Sequence, residues 1–304
     1  MVNIKQKIIV ILGPTATGKS DLAVLLAKKF NGEVVSADSR QVYRGMNIGT
    51  GKVTKKETGG IPHHLLDIIS PKKIFTVSDY KKLAEKAIAN IVKKGKTPII
   101  CGGTGLYIKS IVDDVVFPEV PPNNELREKL EDKTAPELFA ILKKLDKYRA
   151  NNIDKNNPRR LVRAIEIATV LGKVPGLPNL EARPLSNYEF RQIGLTLDKT
   201  DMDQKIKTRL EKRIKRGMIA EVKKLHQEGV SWKKLDDFGL EYRFVSKYLK
   251  GEITKSEMIN LLTTAIIQYS KRQITWFKRD PRIKWFKPSE YKKIEFTIAK
   301  ALKN

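Results

Sequence analysis

Unbroken apolar runs alternate with segments of helical period along the first third of the chain. Ile8-Ile9-Val10-Ile11-Leu12 has no polar face, the pattern of a strand covered on both sides. Residues 21–27 follow with a helical pattern. Residues 32–38 read as a short second strand ending at a carboxylate, 62–68 as a third, and Thr97-Pro98-Ile99-Ile100-Cys101 as a fourth. Between the last two, Tyr80, Leu83, Ala84, Ala87, Ile88 and Ile91 recur at helical spacing over 78–94, and Gly95 closes that helix. Strands alternating with helices predict an α/β fold, a parallel sheet flanked by helices. Loops at the strand C-termini then collect along one edge.

The pattern changes at Phe117-Pro118-Glu119-Val120-Pro121-Pro122, after which the chain is helical and polar. Pro136 after Thr134 and Pro158 after Asn157 stand at first-turn positions, and Gly172 closes the second of these helices. Pro175, Pro178 and Pro184 mark a loop, and residues 188–197 read as a strand returning to the sheet. The expected organisation is a core of residues 1–117 and 188–304 with a helical insertion at 118–187. The remainder is largely helical, including a long run near 255–279.

Composition narrows the class. No apolar run among the 304 residues approaches the length of a membrane span, and Met1-Val2-Asn3-Ile4-Lys5 leads straight into the first strand, so no signal peptide is expected. One cysteine, Cys101, excludes an internal disulfide and a multi-cysteine zinc site, and His63, His64 and His226 form no metal-ligand pattern with it. A protein of the reducing cytoplasm is expected. The net charge is +26, of which residues 201–304 carry +13 and residues 118–187 only +3. That balance favours a polyanionic partner, although lysine-rich composition alone also produces it.

The chemistry begins at Gly13-Pro14-Thr15-Ala16-Thr17-Gly18-Lys19-Ser20, which matches G-x-x-x-x-G-K-[ST] between a strand and a helix. The glycines let backbone N–H groups converge on phosphate oxygens, and the helix N-terminus adds partial positive charge. Lys19 is expected to reach the terminal phosphates and Ser20 to ligate Mg²⁺, on a P-loop NTPase-like core. Asp38, at the end of the second strand, faces this loop in such an architecture. It can accept a proton from a nucleophile or serve as a cap for Ser39-Arg40. Thr104, in Gly102-Gly103-Thr104-Gly105, can donate to a base or phosphate, or mark a tight turn. A later apolar strand of an ATPase ends in an Asp that holds Mg²⁺, whereas here Ile99-Ile100-Cys101 ends in glycines. Transfer with diphosphate as leaving group fits this better than hydrolysis.

Several blocks occur in order: Gly13 to Ser20; Asp38-Ser39-Arg40-Gln41-Val42-Tyr43-Arg44-Gly45-Met46-Asn47-Ile48-Gly49-Thr50; Pro62-His63-His64-Leu65; Gly102-Gly103-Thr104-Gly105-Leu106-Tyr107; and Arg272-Gln273-Ile274-Thr275-Trp276-Phe277. Together they resemble the bacterial tRNA dimethylallyltransferase family over nearly the whole chain. The resemblance implies transfer of a dimethylallyl group from dimethylallyl diphosphate to N6 of the adenosine 3′ of the tRNA anticodon, with Mg²⁺ as cofactor. It implies that Gly13, Pro14, Thr15, Ala16, Thr17, Gly18, Lys19, Ser20 and Arg209 hold the diphosphate. It makes Asp38 the general base, with Lys19 and Thr104 beside it in catalysis. Asp38, Ser39, Arg40, Gln41, Thr104, Arg127, Arg159, Arg160, Leu161, Val162, Arg163 and Arg243 become tRNA contacts to the anticodon stem-loop. The family usually has Gln where Arg159 stands, and Phe238-Gly239-Leu240-Glu241-Tyr242-Arg243 replaces its Gly-Tyr-[Lys/Arg]-Glu. Lys205 stands where many relatives have arginine.

An adenine amine inside a stacked loop is a poor nucleophile, so such an enzyme is expected to extrude the base. Trp232, Trp276 and Trp285 suit an RNA-facing surface or a core. A monomer with no membrane partner is expected. A small-molecule kinase, a nucleotide-gated RNA-binding protein and a prenyltransferase acting on free AMP are the other readings that a phosphate loop permits.

Overall fold

The computed structural model describes residues 6–175 and 188–303. The described residues of Met1–Val112 and Pro184–Asn304 form one compact unit, and those of Asp113–Arg183 a second. The first opens with β1 (Gln6–Leu12), α1 (Lys19–Lys29), β2 (Gly32–Ala37), β3 (His63–His64), α2 (Val77–Lys93), β4 (Thr97–Gly102) and α3 (Gly105–Val112). The second holds α4 (Asn124–Glu131), α5 (Ala135–Leu145), α6 (Lys147–Asn151) and α7 (Pro158–Leu171). The first unit resumes with β5 (Tyr188–Leu195), α8 (Lys199–Lys215), α9 (Met218–Gln227), α10 (Trp232–Phe238), α11 (Leu240–Leu249), α12 (Lys255–Phe277), β6 (Lys284–Phe286) and, after a 3-10 turn, α13 (Tyr291–Lys303). Pro178 and Pro184 of the expected proline-marked loop, the end of the expected insertion and the first five residues lie outside the described residues.

The six strands are all parallel, in the order β3-β2-β4-β1-β5-β6. The central register pairs Leu12 with Gly102, and Ala37 with Gly102 on the other side. Alternate residues of β1 divide between two cores. Ile8, Val10 and Leu12 pack with Val35, Ile100 and the inner faces of α2 and α3. Ile9 and Ile11 pack with Val34, Ile99, α1 and α13. Both faces are covered, which is why β1 carries no polar position after Lys7. The chain leaving β1 reaches β2 on one side, and the chain leaving β4 reaches β5 on the other. A crevice therefore opens at the carboxyl ends of β1 and β4.

A third core, formed by α8 to α12, closes over Val42, Tyr43 and Met46 of the loop after β2. Thr254 and Glu257 form a capping box that starts α12. In the second unit, Leu130, Leu138, Leu142, Leu161, Ile165 and Ala168 make a core of their own. Pro136 and Pro158 lie in the first turns of α5 and α7, and Gly172 ends α7 at φ 74°. The third strand is shorter than its sequence suggests: only His63–His64 pairs with β2. Leu65 (φ 65°) and Asp67 (φ 55°) take left-handed backbone that no strand continues through.

Glu33 on β2 is the most deeply buried carboxylate of the sheet, 1 % exposed. Lys96 (2.8 Å), His64 (2.7 Å) and Lys94 (3.3 Å) surround it. Burial alone would push its pKa up. The hydrogen bonds from Lys96, His64 and Lys94 outweigh that and bring it to about 2. Because the folded pKa is depressed, the stabilisation is present above the ordinary carboxylate range and is lost as pH falls from that range towards 2. Its size is roughly 3 kcal/mol. Glu33→Gln is expected to flatten the fall in melting temperature on acidification below about pH 5; parallel melting curves for variant and parent across that range would contradict it.

Candidate active site

The phosphate loop leaves β1 through a gap that only glycine fits. Gly13 has φ 137°, and a Cβ there would stand 2.4 Å from the Leu195 carbonyl oxygen on β5. Ala16 is left-handed (φ 66°), and Gly18 (φ 83°) precedes the first turn of α1. The Thr17 hydroxyl and the Lys19 ammonium both donate to the Pro14 carbonyl, at 2.9 and 2.5 Å. These bonds close the loop into a ring of backbone over the end of β1.

A cleft of about 640 Å³ lies over the carboxyl ends of β1, β2 and β4. Thr15, Ala16, Gly18, Lys19 and Ser20 border it from the phosphate loop, and Asp38, Ser39, Arg40 and Gln41 from the loop after β2. Lys205, Arg209 and Arg213 of α8 face it from the helical side, with Phe238 to Tyr242, Ile266 and Tyr269. Residues far apart in sequence meet here because parallel strand ends are neighbours. Gly13, Pro14 and Thr17 complete the loop without lining the cleft.

Asp38 combines both readings of its sequence position. Its Oδ1 accepts from the Arg40 and Gln41 amides at 2.8 and 3.3 Å, while Oδ2 has no hydrogen-bond partner among the described residues. Thr104 is a brace: its Oγ1 accepts from the Ser39 amide (3.0 Å) and its own amide donates to Ala37 O (3.1 Å). The strand ends carrying Asp38 and the Gly102-Gly103 turn are thus tied together.

The electrostatics follow from enclosure. Burial draws the Lys19 pKa down to about 8, with Arg209 lowering it further and Cys101 and Asp38 opposing. Loss of water and the neighbouring Arg213 bring Arg209 to about 10. Burial pushes Tyr269 up to about 12 and raises Glu241, which pairs with Arg213 at 2.8 Å. Gly51 (φ 59°) is fitted to this corner: a Cβ there would lie 2.9 Å from an Arg209 nitrogen and closer still to Arg213.

Several residues not singled out from the sequence organise the site. The Glu221 carboxylate accepts from three successive amides, Asn47, Ile48 and Gly49, at 2.8, 2.6 and 3.0 Å, and from the Tyr242 hydroxyl at 3.0 Å. Arg213 donates to Gly49 O. The amide side chain of Gln273 bridges two loops. A first-turn acid on α9 and one glutamine in Arg272-Gln273-Ile274 give no local signal of these long-range contacts.

Other expected residues are engaged differently. Arg40 donates to Phe238 O (2.8 Å) and lies over its ring. Gln41 donates to Gly51 O at 3.4 Å. Arg243, on α11, pairs with Asp236 (3.0 Å). Trp232 stacks on His226 at 3.7 Å and Trp285 packs on the sheet core, whereas Trp276 lies across Gly105 and stays more exposed. In the second unit Arg127 grips buried Glu166 through two nitrogens (2.7 and 3.0 Å). Arg163 holds Glu166 and Val120 O. Arg159 and Arg160 are exposed and Val162 is half-buried. The Leu161 side chain is wholly buried in the core of the second unit, which leaves its backbone for any contact with RNA.

A lysine-bearing glycine loop beside a carboxylate on the next-but-one strand defines an enzyme of the phosphate-loop group-transfer class. Within that class the chain belongs to the IPP transferase family, whose model matches residues 41–280. It is 40% identical to a tRNA dimethylallyltransferase of Anoxybacillus flavithermus, over 92% of this chain and 90% of the other. It is 43% identical to one from Carboxydothermus hydrogenoformans, over 92% of each. The solved tRNA isopentenylpyrophosphate transferase of Bacillus halodurans superposes with a TM-score of 0.74 at 35% identity, covering 98% of this chain and 97% of that one.

Since Lys19 titrates near 8, its charge is present below that pH and lost above it. Affinity for inorganic pyrophosphate, measured by calorimetry, is expected to fall about tenfold more between about pH 7 and about pH 9 than it does in Lys19→Met. The same pH profile in both proteins would exclude Lys19 from the anion site.

Proposed function

We propose that this protein transfers the dimethylallyl group of dimethylallyl diphosphate to N6 of the adenosine 3′ of the anticodon in tRNA, releasing diphosphate. The observation that carries the reading is the cleft that Lys19 and Asp38 line together, with Thr104 bracing the Asp38 loop, in a chain of the IPP transferase family.

The loop amides, Lys19 and Arg209 bind the diphosphate and neutralise charge as it leaves. The C–O bond of the donor breaks, a bond from N6 to the allylic carbon forms, and the N6 proton passes to Asp38. The Asp38 oxygen without a partner is suited to hold that amine. Thr104 acts by holding Ser39, and so the Asp38 loop, in place. Phe238, Leu240, Ile266 and Tyr269 give the cleft an apolar side for a prenyl chain. β4 ends in glycines, which removes the usual carboxylate for hydrolysing a γ-phosphate.

The donors fit Mg²⁺. Ser20 and Asp21 offer oxygens at the cleft, and no group of three or more His, Cys, Asp or Glu that could hold a metal ion occurs among the described residues. A hard cation held by one or two protein oxygens and by phosphate needs no larger cage. When bound, it supplies charge neutralisation to the diphosphate.

The second unit, with helices α4 to α7, is the part of the chain that meets the tRNA. Exposed Arg159 and Arg160 supply phosphate contacts, joined by Arg127, Val162 and Arg163, and on the core by Ser39, Arg40, Gln41 and Arg243. No helix of the described residues is long and apolar enough to cross a membrane. The protein works as a monomer beside its tRNA in the cytoplasm.

Incubation with dimethylallyl diphosphate and an anticodon stem-loop RNA is expected to add one prenyl unit to the adenosine, read by mass spectrometry. Asp38→Ala is expected to lower the rate on the order of 100-fold or more, with pyrophosphate affinity nearly kept. Full activity in that variant would remove Asp38 from the chemistry. Raising salt is expected to weaken RNA binding far more steeply than pyrophosphate binding, because many phosphates release counterions; equal slopes would contradict a multi-phosphate interface.

A further inference from the structure

We propose that Gln273 is a positioning residue that fixes the separation between the phosphate loop and the Asp38 loop. The inference rests on the transfer reaction proposed above.

Gln273 projects from α12 and is 7 % exposed. Both ends of its amide are engaged by backbone. Oε1 accepts from the Thr15 amide at 2.9 Å, and Nε2 donates to the Gly103 carbonyl at 2.9 Å. An amide N–H can only donate and a carbonyl can only accept, so the side chain has one workable orientation. The Gly102-Gly103-Thr104-Gly105 turn is shaped to receive α12. A Cβ on Gly103 would lie 2.4 Å from Gln273 Nε2, and one on Gly105 would lie 2.2 Å from Trp276 Nε1. Gln273 and Trp276 are three residues apart on one helix face, so α12 presses two side chains onto this turn.

The turn continues the path to the proposed base. Thr104, next after Gly103, holds the Ser39 amide, and Asp38 precedes Ser39. One connected series therefore runs from Thr15 through Gln273, Gly103 and Thr104 to Asp38. It joins the loop that grips the leaving group to the loop that takes the proton. Displacement requires donor carbon and incoming nitrogen at a set spacing, and a misplacement of about 1 Å costs about 100-fold in rate. Only a glutamine supplies donor and acceptor at this reach without adding charge beside a diphosphate. Glutamate keeps the acceptor alone and brings a negative charge.

The test is Gln273→Met, which keeps length and loses both hydrogen bonds. Single-turnover transfer from dimethylallyl diphosphate to anticodon stem-loop RNA is expected to slow about 10- to 100-fold. KM for the RNA and affinity for pyrophosphate are expected to stay within about threefold. Hydrogen exchange at the Ser39 and Thr104 amides is expected to speed up while the backbone of α12 keeps its protection. A rate within about twofold of the parent, or a loss confined to KM, overturns the proposal. Unchanged exchange at Ser39 and Thr104 also overturns it. Should the parent itself transfer nothing, the reaction reading fails, and the exchange measurement still decides whether Gln273 ties the two loops. If Gln273→Met does not fold, Gln273→Glu, which loses the donor and whose added charge is expected to weaken pyrophosphate binding as well, is judged by hydrogen exchange: faster exchange at the Ser39 and Thr104 amides supports the proposal and unchanged exchange overturns it.

Discussion

Parallel pairing of β4 between β1 and β2 is the constraint on which everything else rests. It brings the carboxyl ends of three strands side by side, and each end releases a loop with a separate task. β1 releases the phosphate loop, β2 the Asp38 loop, and β4 the glycine turn with Thr104. Shifting β4 by one residue would exchange its two buried faces, setting Ile99 and Cys101 against the helices that now cover Ile100. The apolar packing of both faces fixes the register, and the register fixes the chemistry.

The helical half of the first unit completes what the sheet begins. Its core over Val42, Tyr43 and Met46 anchors the long loop after β2, and Glu221 satisfies three of that loop's amides with one carboxylate. A loop with so many backbone donors would otherwise stay mobile or draw water into the cleft. Arg213 and Glu241 then close the rim beside Arg209. The cleft is therefore a polar floor on a sheet and an apolar, arginine-edged wall of helices. That division suits a ligand with an anionic head and a hydrocarbon tail.

What the sequence disclosed follows from how local each signal is. The unbroken run Ile8 to Leu12, the glycine spacing up to Lys19 and the period of Tyr80 to Ile91 are set within a few residues, and they stand where expected. The first-turn prolines of α5 and α7 and the left-handed Gly172 are equally local. The strand expected over 62–68 shrinks to two residues because Leu65 and Asp67 turn left-handed, which no apolar pattern announces. Gln273, Glu221 and Arg213 reach partners more than 150 residues away. Their importance depends on the tertiary fold, and they resemble ordinary helix residues in sequence. Leu161 shows the reverse limit: a basic run can carry an apolar side chain that packs into a core.

In the proposed reaction, a diphosphate held by the phosphate loop lies within reach of the Asp38 carboxylate that receives an adenine amine. A structure of the protein with a non-reactive dimethylallyl diphosphate analogue and anticodon stem-loop RNA tests it most directly. The diphosphate is expected against Lys19 and the loop amides, with adenine N6 hydrogen-bonded to Asp38. A diphosphate seated elsewhere, or an adenine whose N6 turns away from Asp38, would contradict it.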